Sequence, residues 1–480
     1  MLTLHDGNPR LTRRELLRVG GLALAGLGGS AMDGLGSPSH MSLSSLLAAR
    51  AMTAPGTSLL TGKSVIFLFQ QGGPSQFETF DPKMDAPVEM RTMTGTTQTS
   101  LPGVRFGSTM QQLARLAHKL TVVRSFQTGN AEHNIRPMVS ADSLNANIGS
   151  LFSRVAGPTH SVTGMPTNAL LFPQAVSAEV ARGQGRGDLT ATGSLGAGSA
   201  PFVPGGNGQL LRDLRLSQPM GRFNERRELL AQFEQLNRQF DNEQPSQTMD
   251  RYQRQAGEVL LSGRVADALD LGKEDDRVVA RYDTSRFAAS DGWSRVERGR
   301  KGYYTGQAKS LGKLLLLARR LCEAGCGFVT IHADYEGIWD FHADSNNLNV
   351  IEGMEAVGRS FDHAVAAFIE DIEARGLEDK ILLIATGEMG RTPRINRNAG
   401  RDHWARLAPL LLYGGGIPEG HVIGQSTRDG GEPATENLTP PNLISTILHT
   451  VLNVGQVRLQ PGLAAIARLG EVSPIPGVIS

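Results

Sequence analysis

The chain has 480 residues, enough for one large α/β domain or two smaller ones. Its formal charge of +1 comes from 48 basic and 47 acidic residues that are interspersed, which excludes a dedicated nucleic-acid surface. Two cysteines, Cys322 and Cys326, exclude a disulfide framework and read as buried structural thiols at a helix end.

The N-terminus carries a basic start (Arg10, Arg13, Arg14, Arg18) followed by a weakly apolar run, Val19 to Gly29. A transmembrane helix needs ~20 strongly apolar residues, and this run is shorter and glycine-rich. The pattern predicts a cleavable twin-arginine signal, with residues 1–51 as signal and leader. Ala49-Arg50-Ala51 is a small-x-small cleavage site releasing a chain that starts near Met52, with Ala31 and Ala54 as other cleavage positions. The expected location is periplasmic or secreted, with the twin-arginine translocation machinery as a partner and no transmembrane span in the mature chain.

Residues 52–480 read as a single domain. Five short apolar runs have the character of buried parallel strands: Ser64–Gln70, Leu120–Phe126, Gly327–His332, Lys380–Thr386 and Leu407–Tyr413. Between them Met110–His118, Gln307–Ala324, Met354–Arg375 and Pro441–Val454 have helical period. The alternation predicts an α/β fold with a doubly wound, mostly parallel sheet covered on both faces. Residues 185–300 interrupt it as a glycine-rich loop (Gly185–Gly208) and a charged helical insertion (Leu210–Ala280), whose apolar spacing predicts packing on the core.

In such a sheet, ligands bind beyond the carboxyl ends of the strands. After the first strand come Gly72, Gly73 and Ser75. Paired glycines either make a tight turn or let backbone N–H groups approach an anion, and the spacing excludes phosphate-loop and dinucleotide fingerprints. After the second come Thr128, Asn130 and His133, where Thr128 or His133 addresses a phosphoryl or sulfuryl group, or Thr128 and Asn130 merely cap a helix. Asp340 and His342 follow the third strand; alternating in extended chain, they make a divalent-ion pair or a surface hydrogen bond. Glu388 after the fourth is a ligand or an acid/base, and Arg391 offers a fork to an oxyanion. Gly400-Arg401-Asp402-His403-Trp404 precedes the fifth. Convergence of these loops is the strongest chemical signal in the chain.

The GGPS-x-x-x-TFDPK segment, the LLLARRLCEAGCGFVTIH stretch with WDFH, the GEMGRTPRIN loop and the GRDHW box together resemble the domain-of-unknown-function 1501 family. The twin-arginine leader and the glycine run from Gly414 to Gly424 add to the likeness, which spans Thr12 to Val454. That family is similar to the sulfatase and alkaline-phosphatase superfamily. The resemblance implies an alkaline-phosphatase-like α/β/α sandwich and a divalent metal (Zn, Ca, Mg or Mn) held by Asp340, His342 and His403; Glu388, which with Met389 stands where the superfamily has an Asp-His pair, is expected as fourth ligand or general base. It implies hydrolysis of phosphate or sulfate esters, with Thr128 or His133 as nucleophile or proton carrier. The chain departs from the superfamily where Gln71 and Gly72 replace a first-strand aspartate. That departure supports the alternative, an inactive relative binding a glycan or partner protein in the same cleft.

Overall fold

The structure is a computed structural model and describes residues 58–177, 179–180, 186–205, 264–288 and 298–479. The expected signal segment, residues 1–51, and most of the expected helical insertion lie outside these. Eleven strands occur among the described residues: β1 (Ser64–Phe69), β2 (Thr96–Gln98), β3 (Arg105–Gly107), β4 (Thr121–Val123), β5 (Asn168–Leu171), β6 (Phe328–His332), β7 (Ile381–Thr386), β8 (Gly390–Arg391), β9 (His403–Trp404), β10 (Leu410–Gly414) and β11 (His421–Ile423). Seven form one sheet in the order β11-β4-β10-β7-β1-β6-β5, and the other four pair as β2-β3 and β8-β9.

Each apolar run splits its side chains between two layers, as a strand must. Ile66 and Leu68 of β1 enter one core with Leu383 of β7, Ile331 of β6 and the helical residues Leu314, Leu315, Val365 and Phe368. Val65, Phe67 and Phe69 enter the other with Leu382, Ile384, Phe328 and the helical Leu151, Ile444 and Leu448. Residues Arg298–Glu323 and Arg359–Ala374 thus cover one face of the sheet, and Ile148–Ala156 with Pro440–Val451 the other. Burying a strand on both faces removes any need for a polar side, which is why these runs read as continuously apolar.

Four of the five expected strands run parallel, and the fifth does not. β10 pairs antiparallel with both β7 and β4. This corrects the reading of Leu407–Tyr413 as a parallel strand. It also has a consequence for the site: residues entering β10 lie at the same sheet edge as residues leaving the parallel strands. β5 and β11, three or four residues each, are too short to leave a periodic signal. The long helix after β6 begins at Val350 and contains a π-helical turn, Met354–Gly358.

Within the described part of the insertion, helices Arg264–Leu269 and Asp276–Arg281 bury Val265, Leu269 and Val278 against the core. Arg320 binds the carbonyls of Ala268 (3.1 Å) and Asp267 (2.6 Å), tying this segment to the Arg298–Glu323 helix. Cys322 and Cys326 are both buried and free. Burial pushes the Cys326 thiol up to about 12, so neither packing nor acidity suits it to nucleophilic work. No described helix is long and apolar enough to cross a membrane.

Candidate metal centre

The site is organised around Asp340. Its loop follows β6 and is held at the end of β1, where Trp339 N–H donates to the Gln71 carbonyl (3.3 Å). The approach is close enough to require glycine at 72. That residue has φ +111°, and a Cβ there would lie 2.5 Å from Trp339 N and 2.8 Å from Asp340 N.

Three imidazoles converge on the Asp340 carboxylate. His133 Nε2 stands 2.9 Å from Oδ2, His342 Nε2 2.9 Å from Oδ1 and His403 Nε2 3.4 Å from Oδ1. His342 Nε2 and His403 Nε2 face each other at 2.8 Å. Zinc–ligand bonds of ~2.0–2.1 Å in a tetrahedron separate ligand atoms by about 3.3 Å, close to these spacings. His133, Asp340 and His403 each offer a ligand atom within 4.8 Å of the others. Asp340 Oδ1 lies 2.7 Å from Arg391 Nη2 and 2.9 Å from His342 Nε2, cationic surroundings that keep the buried carboxylate ionised and able to ligate. The residues present therefore fit a divalent ion.

Every histidine is held from behind. His403 Nδ1 lies 2.8 Å from the Ala131 carbonyl, which can only accept, so Nδ1 carries the proton and Nε2 the free lone pair. His133 Nδ1 faces Glu388 Oε1 at 3.0 Å and His342 Nδ1 faces Asp402 Oδ1 at 3.1 Å. Oxygen acceptors at all three Nδ1 atoms turn the Nε2 atoms toward the Asp340 carboxylate, His133 to Oδ2 and His342 and His403 to Oδ1, the outer-shell arrangement that fixes metal-ligating histidines. Asn347 Nδ2 steadies Asp340 Oδ2 at 3.2 Å.

The electrostatics follow from this crowding. Burial would raise the Asp340 carboxyl, but Arg391 and the three histidines hold it well below the usual range. Burial would lower His133, but Asp340 and Glu388 on either side outweigh it and bring the ring to about 9. His342 is also raised, its contact with Asp340 overcoming burial. Burial, helped by the Arg391 and His133 charges, lowers His403 and keeps it neutral.

A family model described as "Protein of unknown function (DUF1501)" matches residues 62–470. The chain belongs to this family. No curated protein matches it significantly in sequence. Among solved structures, this family member is similar to the PsFucS1 sulfatase from Pseudoalteromonas sp. at 12% identity, covering 91% of this chain and 72% of that one with a TM-score of 0.34. A phosphonate monoester hydrolase from Silicibacter pomeroyi is 12% identical over 80% of this chain and 72% of its own, with a TM-score of 0.26. The alkaline phosphatase of the Antarctic bacterium TAB5 is 15% identical over 78% and 96%, with a TM-score of 0.25. At that overlap, the chemistry of this DUF1501 chain must be read from its own side chains.

Of the expected ligands, Asp340, His342 and His403 meet. Glu388 does not face the centre; it lies fully buried behind His133, where Gly72 N–H donates to both its oxygens (2.9 and 3.1 Å). His133, expected as nucleophile or proton carrier, occupies the inner position instead. The anion-binding groups expected on the glycine loop have other partners. Gly72 N–H serves Glu388, and Gly73 N–H points to the Gln70 carbonyl (3.4 Å). Ser75 donates to Glu78.

Arg391 is likewise committed. It clasps the carbonyls of Gly73 (2.8 Å), Arg401 (3.1 Å), Trp339 (3.3 Å) and Gly72, and pairs with Asp340 at 2.7 Å. Thr128 is buried with its hydroxyl on the Asn130 carbonyl (3.4 Å). The reason is common to all: in a dry loop cluster each donor must be satisfied internally, and these loops satisfy one another. Two buried groups gave no functional signal in the sequence. Glu78 and Arg401, both fully buried and 3.1 Å apart, lock the TFDPK and GRDHW boxes together. β8 then pairs Arg391 with His403, setting the histidine beside Asp340.

Proposed function

We propose that this protein is an exported, metal-dependent hydrolase of phosphate or sulfate esters, working at the carboxyl edge of the sheet. The observation that carries the metal reading is one buried carboxylate facing three imidazole Nε2 atoms, each imidazole fixed through its Nδ1. Asp340, His342, His403 and His133 would hold the ion. Imidazole-rich sets suit zinc and related transition ions, whereas calcium and magnesium prefer oxygen. A divalent ion bound there supplies Lewis-acid stabilisation of charge developing on a phosphoryl or sulfuryl oxygen.

The protein's own groups do the rest. Glu388 holds the Nδ1 proton of His133 and keeps its Nε2 aimed inward. Arg391 keeps Asp340 ionised and ties the first-strand loop to the Trp339 segment. The His342 and His403 side chains keep 23% and 24% of their surface exposed, and an ester and water would have to approach from their side. Export rests on the twin-arginine pattern at Arg13-Arg14. A route that carries folded chains would let the centre be loaded before translocation.

A second reading, an inactive relative that binds a glycan or partner protein, is favoured by one specific observation. The donors expected to steady an oxyanion, from Gly72, Gly73, Ser75 and Arg391, are all engaged within the protein.

Elemental analysis of protein purified from the periplasm tests the first reading, with Asp340→Ala and His403→Ala alongside. About one equivalent in the wild type, lost in both variants, is expected; below about a tenth of an equivalent ends the metal reading. Recovery of full-length precursor in the cytoplasm alone would refute export. With metal bound, turnover of aryl phosphate or sulfate esters separates enzyme from binder.

A further inference from the structure

Where the first strand ends, a glutamine holds together the loops that carry the centre. The Gln71 carbonyl accepts Trp339 N–H (3.3 Å), one residue before Asp340. Its amide nitrogen donates to the carbonyl of Asn134 (2.7 Å), one residue after His133, and to that of Arg186 (3.3 Å). The next N–H, from Gly72, binds Glu388. Two consecutive residues thus fix the segments bearing Asp340, His133 and Glu388.

The amide has only one satisfactory orientation. Asp334 N–H donates to His332 Nδ1 at 2.8 Å, so the His332 proton sits on Nε2, which donates to Gln71 Oε1 at 2.8 Å. A flipped amide would set an oxygen against two carbonyls and an N–H against an N–H. His332 is itself immobilised, stacked on Phe69 (centroids 5.7 Å, 25°) and edge-on to Phe172 (5.8 Å, 84°). Burial lowers it to about 4, so it stays neutral through the physiological range.

We propose that Gln71, locked by His332, is a positioning residue that sets the ion affinity of the Asp340 centre without touching the ion. The inference rests on the metal reading above. Outer-shell partners of metal ligands typically change affinity 10–100-fold, and here a single amide fixes the loop of one ligand while its backbone fixes the loop of another.

The test is cobalt(II) titration of the ion-free full-length protein. Gln71→Met keeps the length and apolar volume but removes both hydrogen-bonding functions, and His332→Phe removes only the lock. Each should raise the cobalt Kd by about 10–100-fold. The double variant should be no weaker than Gln71→Met to within about threefold, because both changes act through one amide. Should Gln71→Met fail to fold, Gln71→Asn replaces it, keeping an amide too short to reach Asn134.

A wild-type protein that binds no cobalt would remove the metal reading itself, and this inference with it. A wild type that binds cobalt, with Gln71→Met within twofold of it, overturns the positioning role alone. Losses that multiply independently in the double variant also overturn it, since general loosening of the fold would behave that way.

Discussion

Histidine 133 gives a quantitative handle on the centre. Its side chain is 11% exposed and lies between Asp340 (2.9 Å) and Glu388 (3.0 Å), which raise it from 6.5 to about 9 in the ion-free protein. A group protonated more readily when folded adds stability that is fully present below its unfolded value and lost as pH rises through its folded value. At ~1.36 kcal/mol for each pH unit, the window from 6.5 to about 9 corresponds to on the order of 3 kcal/mol. Urea denaturation with chelator present, at several pH values from 6 to 9.5, should show that loss in the wild type. His133→Gln has no proton to lose, and its profile should be flatter by that amount. Ion binding should run the opposite way. At pH 7 about one ring in a hundred is neutral and at pH 9 about half, so ion affinity should climb about fiftyfold between pH 7 and 9. Parallel stability profiles for wild type and His133→Gln would show that the ring is not held between two carboxylates in solution, and the reasoning would fail.

Three further outcomes are expected. At pH 9.5, where His133 is mostly neutral and proton competition is small, Glu388→Gln should weaken metal binding by about 10–100-fold without changing stoichiometry, because His133 Nδ1 and Gly72 N–H lose a charged acceptor; competition with a chromophoric chelator measures it, and unchanged affinity would count against the outer-shell role. Gly72→Ala combines φ +111° with a Cβ 2.5 Å from Trp339 N, so it should cost roughly 2–4 kcal/mol in denaturant unfolding, and a loss below about 1 kcal/mol would contradict the tight crossing. Arg401→Met leaves the Glu78 carboxylate buried without its cation and should cost about 3–5 kcal/mol, much of it recovered in the Glu78→Leu/Arg401→Met double variant. A double variant as unstable as the single would mean the carbonyl contacts of Arg401 dominate instead.

The sequence by itself determined the layering of this protein. Runs such as SVIFLF and ILLIAT are apolar on both faces and flanked by helical periods, and that local pattern admits little besides a covered sheet. It also placed Asp340 and His342 on one side of an extended segment, since two-residue alternation is a property of the backbone. What tertiary structure decided was everything that depends on strand order and direction. β10 runs against its neighbours, and only for that reason does His403, which precedes it, reach the edge where His133 and Asp340 emerge. Glu388 and His133 were legible as chemically active residues, but which of them faces the centre was not. That choice is made by Gly72 N–H, which draws Glu388 behind the ring. Arg391 could be recognised as a planar fork, yet its partners are carbonyls from three separate loops, and no local spacing encodes their meeting.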